Sequence, residues 1–235
     1  MSDSDTRPLY LLADSQPLFW KSGAFLRAVC EASANTKPNV AYIGASNGDS
    51  ADAQGIFAAA FEQVATAGTH WVRAAFSNED RAFLDTADVI VLAGGDVEAG
   101  WNVFTRTGLR ESLEKRYREG AVLLGVSAGA VQFGKYASVA DSNGGRKLLE
   151  TFGWIDVIVD VHDEKRDWQA LSSTIQLLEG AARGIGIPHG AALVVHSDGT
   201  FEPVGRAVEE FVLSGGRLRR SVLMAEIRNS DEVVR

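Results

Sequence analysis

The chain has 235 residues, of which 46% are hydrophobic and 23% are charged, a composition typical of a soluble globular protein with a single domain over residues 1–235. Its net charge of −8 argues against binding to nucleic acid or to anionic membrane surfaces. The chain has 1 cysteine, a polar N-terminus and no long apolar run, so we expect a cytoplasmic protein without disulfides, signal peptide or membrane span.

In the first half of the chain, short apolar segments rich in β-branched residues alternate with amphipathic segments. The predicted strands are Leu9–Leu12, Val40–Ile43, Trp71–Ala75, Val89–Leu92 and Val122–Val126. Apolar residues at three- and four-residue spacing predict helices over Ser22–Ala32, Ala51–Ala67 and Leu109–Glu119. This alternation predicts an α/β fold with a mostly parallel central sheet and helices on both faces.

In the second half of the chain, the alternation is less regular. One helix is predicted, Trp168–Glu179. The predicted strands are Trp154–Val159, Gly184–Ile187, Ala192–His196, Glu202–Val204, Glu210–Leu213 and Val222–Ile227. The closely spaced late strands predict antiparallel pairing toward the C-terminus.

Two loops that follow predicted strands carry the most distinctive residues. The segment Gly125-Val-Ser-Ala-Gly129 matches the nucleophile-elbow pattern G-x-S-x-G, in which small residues allow a strained turn that exposes the serine. The helix that follows such a turn directs its first N–H groups toward a developing oxyanion. The alternative interpretation is a buried Gly/Ala-rich junction in an ordinary α/β domain. A second loop, Gly94-Gly95-Asp96, ends the preceding predicted strand, and ligands bind at this edge of such sheets.

Gly94-Gly95-Asp96, Ser127-Ala-Gly-Ala130 and Asp160-Val-His162, in this order and spacing, resemble the peptidase E and cyanophycinase family of serine peptidases. The resemblance extends from about Tyr10 to Gly205. It implies a class I glutamine-amidotransferase-like fold without a cofactor, with Ser127 as nucleophile and His162 as general base. It also implies that the N–H groups of Gly95 and Ala128 form the oxyanion hole. A serine hydroxyl needs such a base, because the neutral hydroxyl is a poor nucleophile.

The chain departs from the family at the third residue of the triad. The family has a glutamate in a segment similar to Gly186-Ile-Pro-His-Gly190, where this chain has His189. Three interpretations remain open. In the first, His189 itself accepts the N–H of His162, in a Ser-His-His arrangement. In the second, a nearby acid takes the place of the glutamate, with Asp141 the first candidate and Glu164 or Asp163 the next. In the third, the triad is broken, and the chain is a weakened or silent relative that acts as a binding or scaffold protein.

The candidate substrate-binding residues are Asp96, Asp160 and Arg166. The pattern Asp-x-His-x-x-x-Arg around His162 is similar to cyanophycinase, but the basic cluster expected after it is absent, which argues against cyanophycin as substrate. Arg166 either binds a substrate carboxylate, as an arginine does in peptidase E, or pairs with Asp163 or Glu164. The expected substrate is a short peptide or aminoacyl amide. The 4 histidines lack metal-ligand spacing, so no metal is predicted, and the family's frequent dimers make a homodimer an expectation.

Overall fold

The structure, a computed structural model, describes residues 6–141, 143, 145–178 and 183–225. A seven-stranded sheet forms its centre, with strand order β11-β10-β1-β5-β4-β2-β3. These strands are β1 (Leu9–Leu12), β2 (Asn39–Ile43), β3 (Gly68–Val72), β4 (Val89–Leu92), β5 (Val122–Val126), β10 (Ala192–Val195) and β11 (Phe201–Val204). The first five run parallel, whereas β10 and β11 are antiparallel to their neighbours. The predicted fold class is confirmed.

Helices cover both faces of this sheet. They are α1 (Ala24–Glu31), α2 (Ala51–Phe61), α3 (Asn78–Leu84), α4 (Val97–Thr107), α5 (Leu109–Arg118) and α6 (Ala128–Val131), whereas α7 (Gln169–Leu177) lies away from this sheet. Successive residues of β1 point to opposite faces, so Leu11 packs in the core beside α4 and α5, whereas Leu12 packs in the core beside α1 and α2. Within the described ranges, no helix is long and apolar enough to cross a bilayer.

A second sheet of four strands, in the order β13-β12-β9-β8, lies beside the first. Its strands are β8 (Val157–Val161), β9 (Arg183–Ile187), β12 (Val208–Ser214) and β13 (Arg217–Leu223). β8 and β9 are parallel, and the later pairs are antiparallel. The helix α7 packs on this sheet through Trp168, Leu171 and Ile175. A separate hairpin joins β6 (Tyr136–Ala140) to β7 (Arg146–Glu150).

Several element boundaries differ from those predicted. The strand predicted at Trp71–Ala75 is Gly68–Val72, because the N–H of Ala74 donates to the Asp49 carboxylate instead of continuing the ladder. The helix predicted over Ala51–Ala67 ends at Phe61. Helices α3 and α4 and the hairpin β6–β7 were not predicted at all. The ends of two predictions, Glu179 and Ile227, lie outside the described residues.

Candidate active site

The segment Gly125–Gly129, here called the Ser127 turn, is a sharp turn between β5 and α6. Ser127 directly follows β5 with φ 50° and ψ −110°, a backbone conformation that costs a non-glycine residue on the order of 1–3 kcal/mol. Its N–H donates to the carbonyl of Leu12 at 2.9 Å, which ties the turn to the end of β1. Ser127 therefore lies at the carboxyl edge of the parallel strands.

The two glycines of the Ser127 turn permit the close contact of α6 with the sheet. A Cβ added to Gly125 would lie 2.5 Å from the carbonyl carbon and oxygen of Gly129. A Cβ added to Gly129 would lie 2.3 Å from the carbonyl oxygen of Leu92 in β4. Both distances are far shorter than a van der Waals contact, so larger residues at either position would displace Ser127 from the sheet edge.

His162 extends from the second sheet toward this turn. It directly follows β8 with φ 44°, and its N–H donates to the Ile187 carbonyl at the end of β9. The two sheets together bring Ser127 Oγ to 3.0 Å from His162 Nε2. This is the distance that proton transfer from a hydroxyl to an imidazole requires.

Two backbone N–H groups close to Ser127, those of Gly95 and Ala128, have no hydrogen-bond acceptor among the described residues. Ala128 follows Ser127 in the chain, and Gly95 lies in the loop between β4 and α4. A Cβ added to the neighbouring Gly94 would lie 3.3 Å from Ser127 Cβ and 4.0 Å from its Oγ, so this loop lies against the Ser127 turn. Free N–H groups in this position are the donors that an oxyanion hole requires.

His189 lies beside His162 in the folded chain. The two imidazole rings stack, with centroids 5.2 Å apart and planes inclined by 24°. No hydrogen bond joins the two rings among the described contacts. The interpretation in which His189 accepts the N–H of His162 therefore stays a prediction.

The ring of His189 is hydrogen-bonded to Asp14, which sequence reasoning did not identify. His189 Nδ1 lies 3.0 Å from Asp14 Oδ2, and the same oxygen accepts the N–H of Gly190 at 2.8 Å. Asp14 Oδ1 accepts the N–H of Gln16 at 2.8 Å. One signal pointed to this residue: Asp14 is a charged residue just beyond a predicted strand, at the sheet edge where ligands bind.

The acids considered as substitutes for the family's glutamate make other contacts. In the described part of the chain, none of them hydrogen-bonds His162. Asp141 accepts two backbone N–H groups within the turn between β6 and β7. Asp163 pairs with a neighbouring arginine, and Glu164 Oε1 accepts the backbone N–H of His189 at 3.2 Å.

A cleft of about 190 Å³ opens beside Ser127 and is bordered by β8, α7 and the hairpin β6–β7. Asp160 and Arg166 line it, together with Arg146, which the sequence interpretation did not single out. Arg166 is exposed, and its Nε donates to Asp163 Oδ1 at 2.5 Å, which is the pairing considered as the alternative to substrate binding.

Asp96 has a structural contact at the edge of this region. Its Oδ1 accepts the N–H of Ala99 at 2.7 Å, which caps the N-terminus of α4. Its own N–H donates to the carbonyl of Ser46 at 2.7 Å and so fixes the loop that carries Gly95. Asp96 itself does not line the cleft.

Asp160 is a half-buried residue that lines the cleft. Its Oδ1 accepts the N–H of Val161 at 2.9 Å, whereas Oδ2 is buried without a partner among the described residues. Burial raises the pKa of Asp160 to about 6, and the nearby Asp163 adds to this rise, while the Val161 N–H opposes it. A carboxyl group that lines a cleft and has a perturbed pKa is a candidate functional group.

We expect Asp160→Asn to stabilise the protein at neutral pH. The raised pKa means that the folded state binds a proton more tightly than the unfolded state, so this carboxyl stabilises the fold below pH 4 and that contribution is lost as pH rises through 6. Removing the ionised carboxylate at pH 8 should raise the free energy of unfolding by on the order of 2–3 kcal/mol, with little effect at pH 4. Chemical denaturation at both pH values measures this difference.

Asp156→Asn is the matched control for that prediction. The Asp156 side chain is 84% exposed and pairs only with Lys135 at the surface, so its removal should change stability by under about 1 kcal/mol at either pH. An equal effect of Asp160→Asn at pH 4 and pH 8 would contradict the buried, ionised state of Asp160.

Among the residues that the structure describes, no three histidine, cysteine, aspartate or glutamate side chains are arranged to hold a metal ion. The hydrogen-bonded Ser127 and His162 pair, two free N–H groups and a polar cleft instead form an arrangement capable of acyl transfer.

Comparisons with known proteins give a family and a fold. The model of the family described as Peptidase family S51 matches residues 21–202. No curated protein matches the chain. The crystal structure of a peptidase from an acI-B1 Actinobacterium is similar with a TM-score of 0.73 and 20% identity, covering 94% of this chain and 95% of that one. A candidate peptidase E protein from Listeria monocytogenes EGD-e has a TM-score of 0.61 and 16% identity, covering 93% and 99%. At these identities, the two structures show a shared fold.

Proposed function

The chain belongs to peptidase family S51, and from this premise we propose that it is a serine hydrolase that cleaves a short peptide or an aminoacyl amide. The observation that carries the proposal is the 3.0 Å contact between Ser127 Oγ and His162 Nε2. Both residues have positive φ angles, which cost free energy and are retained where the surrounding fold holds a functional geometry.

The proposed reaction proceeds through an acyl-enzyme. His162 Nε2 takes the hydroxyl proton of Ser127 as Oγ attacks the substrate carbonyl carbon. The carbonyl oxygen becomes an oxyanion, and the N–H groups of Gly95 and Ala128 stabilise it. His162 then gives the proton to the leaving amine as the carbon–nitrogen bond breaks. Water, deprotonated by the same histidine, releases the acyl group and restores the Ser127 hydroxyl.

Charged groups in the cleft favour a small substrate with charged ends. The ionised Asp160 carboxylate, with Oδ2 unpaired, is proposed to bind a substrate ammonium group. Arg166 keeps guanidinium N–H groups beyond its pair with Asp163, and these are proposed to bind a substrate carboxylate. The exposed Asp96 is a further candidate for a cationic substrate group at the edge of the cleft, although its carboxylate also caps α4.

A catalytically silent relative that only binds its ligand is the second candidate. The observation in its favour is that no carboxylate among the described residues hydrogen-bonds His162, since the position of the family's glutamate is His189. Loss of the orienting acid lowers the rate of a serine protease by ~10⁴-fold, yet measurable catalysis remains. The two candidates therefore differ in whether any turnover depends on Ser127.

A screen of dipeptides and aminoacyl amides tests the proposed function. We expect the wild type to cleave at least one class of compound, with the two products identified by mass spectrometry, and Ser127→Ala to cleave none. Compounds with a free N-terminal ammonium should be preferred over their acetylated forms, because acetylation removes the charge proposed to pair with Asp160. Binding of library compounds without any Ser127-dependent product would instead support the silent relative.

A further inference from the structure

We propose that Asp14 supplies the carboxylate of this active site and acts on His162 through the stacked ring of His189. The proposal rests on the function proposed above and extends it. Asp14 is a positioning residue here, because it contacts neither Ser127 nor His162 in the described structure.

The hydrogen bond between Asp14 and His189 fixes which ring nitrogen of His189 carries the proton. A carboxylate accepts hydrogen bonds only, so the 3.0 Å contact requires His189 Nδ1 to carry the proton. This contact therefore sets the tautomer of the neutral ring and leaves its Nε2 unprotonated. The second hydrogen bond to the same oxygen, from the Gly190 N–H at 2.8 Å, holds the carboxylate in place.

The position of the His189 ring is fixed as well. Its backbone N–H donates to Glu164 Oε1 at 3.2 Å, and its carbonyl accepts from Arg206 at 2.5 Å. Because Asp14 also binds Nδ1, the backbone N–H, the carbonyl and the ring of His189 each have a hydrogen-bond partner. The ring lies beside that of His162 with its plane inclined by only 24° to it, and His162 Nε2 contacts Ser127. The orientation of His162 therefore depends on a ring that Asp14 holds.

A positive charge develops at the site during the reaction. His162 becomes an imidazolium when it takes the serine proton, and a nearby negative charge stabilises that cation. Burial alone would raise the pKa of Asp14, but hydrogen bonds from Gly190, Gln16 and His189 outweigh it, so the pKa lies below its usual value. Asp14 is therefore anionic across the neutral range. The other charged groups around the two rings are Asp160, Asp163, Glu164, Arg166 and Arg206.

The test measures the rate of labelling by a fluorophosphonate from pH 5 to pH 9, together with the melting temperature of each variant. We expect Asp14→Asn to lower the plateau rate by about 10- to 100-fold, by analogy with the loss found when a carboxylate that orients a metal-bound histidine is removed. The rate loss on the acid side of the pH profile should also move to lower pH, because removing the Asp14 carboxylate removes a negative charge that favours a cation at the active site. A loss of packing without a change in charge would lower the labelling rate but would not shift its pH dependence.

Glu202→Gln is the matched control. Glu202 Oε2 also accepts a hydrogen bond from a histidine, His196 Nε2, at 2.9 Å. This pair lies at the end of β10 that is opposite to His189. We expect this variant to keep the wild-type rate and pH profile. Asp14→Ser, which keeps a short acceptor for the Gly190 N–H, is the second test variant in case Asp14→Asn does not fold.

Double variants test whether Asp14 acts through His189. Adding Asp14→Asn to His189→Asn should cause no further loss, because the connecting ring is already absent. In Asp14→Asn/His189→Glu, a carboxylate lies where the family has one, and labelling should recover. A wild-type rate and pH profile in Asp14→Asn would overturn the role of Asp14 but not the proposed serine hydrolase. The same holds for a multiplicative loss in Asp14→Asn/His189→Asn. A wild type that is never labelled would overturn the serine hydrolase itself and this proposal with it.

Discussion

We expect Ser127→Ala to lower the hydrolysis of a confirmed substrate by at least ~10²-fold, because removal of the nucleophile costs ~10⁶-fold in a serine protease with a complete triad and loss of the orienting acid alone costs ~10⁴-fold. The reason is that Ser127 Oγ forms the covalent bond, and alanine offers no atom in its place. His162→Ala should cause a loss of similar size, and the double variant should be no worse, because the two residues act as one unit. Steady-state rates of the three variants measure this.

Ser112→Ala controls for the loss of a serine hydroxyl as such. Ser112 lies on α5, where its hydroxyl donates to the Gly108 carbonyl, and it does not line the cleft. The Ser112→Ala variant should therefore retain the wild-type rate of hydrolysis. Substantial residual hydrolysis by Ser127→Ala, or additive losses in the double variant with His162→Ala, would be incompatible with the proposed acyl-enzyme.

Gly95→Ala should lower activity by at least ~10²- to 10³-fold, the cost of losing one oxyanion donor. A Cβ at this position would lie 2.0 Å from the carbonyl oxygen of Ser46, and Gly95 has φ 135°, which side chains rarely adopt. The loop must therefore shift, and the Gly95 N–H shifts with it. The second-order rate of fluorophosphonate labelling measures the effect, because the phosphonyl oxygen occupies the same hole.

Gly48→Ala separates backbone strain from displacement of the loop. Gly48 lies near the same loop with φ 65°, but an added Cβ would meet nothing within 4 Å. It should lose only about 1 kcal/mol of stability from its left-handed backbone and keep its labelling rate. Equal losses of labelling in the two glycine variants would refute the assigned role of Gly95.

The main elements of the site could be predicted because they follow strands with clear patterns. Ser127 and Gly95 lie just beyond Val122–Val126 and Val89–Leu92, which were predicted with the bounds that the structure has. Parallel strands end at the same edge of a sheet, so the two loops were expected to be close. His162 was assigned through its family motif, since the strand before it was predicted at Trp154–Val159 instead of Val157–Val161.

The contact of Asp14 with His189 could not be predicted, because the two residues are 175 positions apart in the chain. It arises from the antiparallel register of β1 and β10, in which Leu12 lies opposite Ala192. One more hydrogen bond, from the Ala13 N–H to the Ala191 carbonyl, extends this register to Asp14. Periodicity indicates that a late strand is antiparallel, but it does not determine which strand is its partner.

The same register explains why the arrangement of the two imidazole rings could not be predicted. The residue types left three interpretations open for His189, namely an acceptor for His162, a position replaced by a nearby acid, or a broken triad. The direction of its ring depends on the anchoring of Nδ1 by Asp14 and of the backbone by Glu164, which are contacts between distant parts of the chain. Short motifs carry no information about such contacts.

Treatment of the wild type with a fluorophosphonate, followed by intact-mass and peptide mass spectrometry, tests the central claim most directly. We expect one covalent adduct, located on Ser127, formed at a rate that falls sharply in His162→Ala. An adduct on another residue, or a protein that stays unmodified after prolonged treatment, would contradict it.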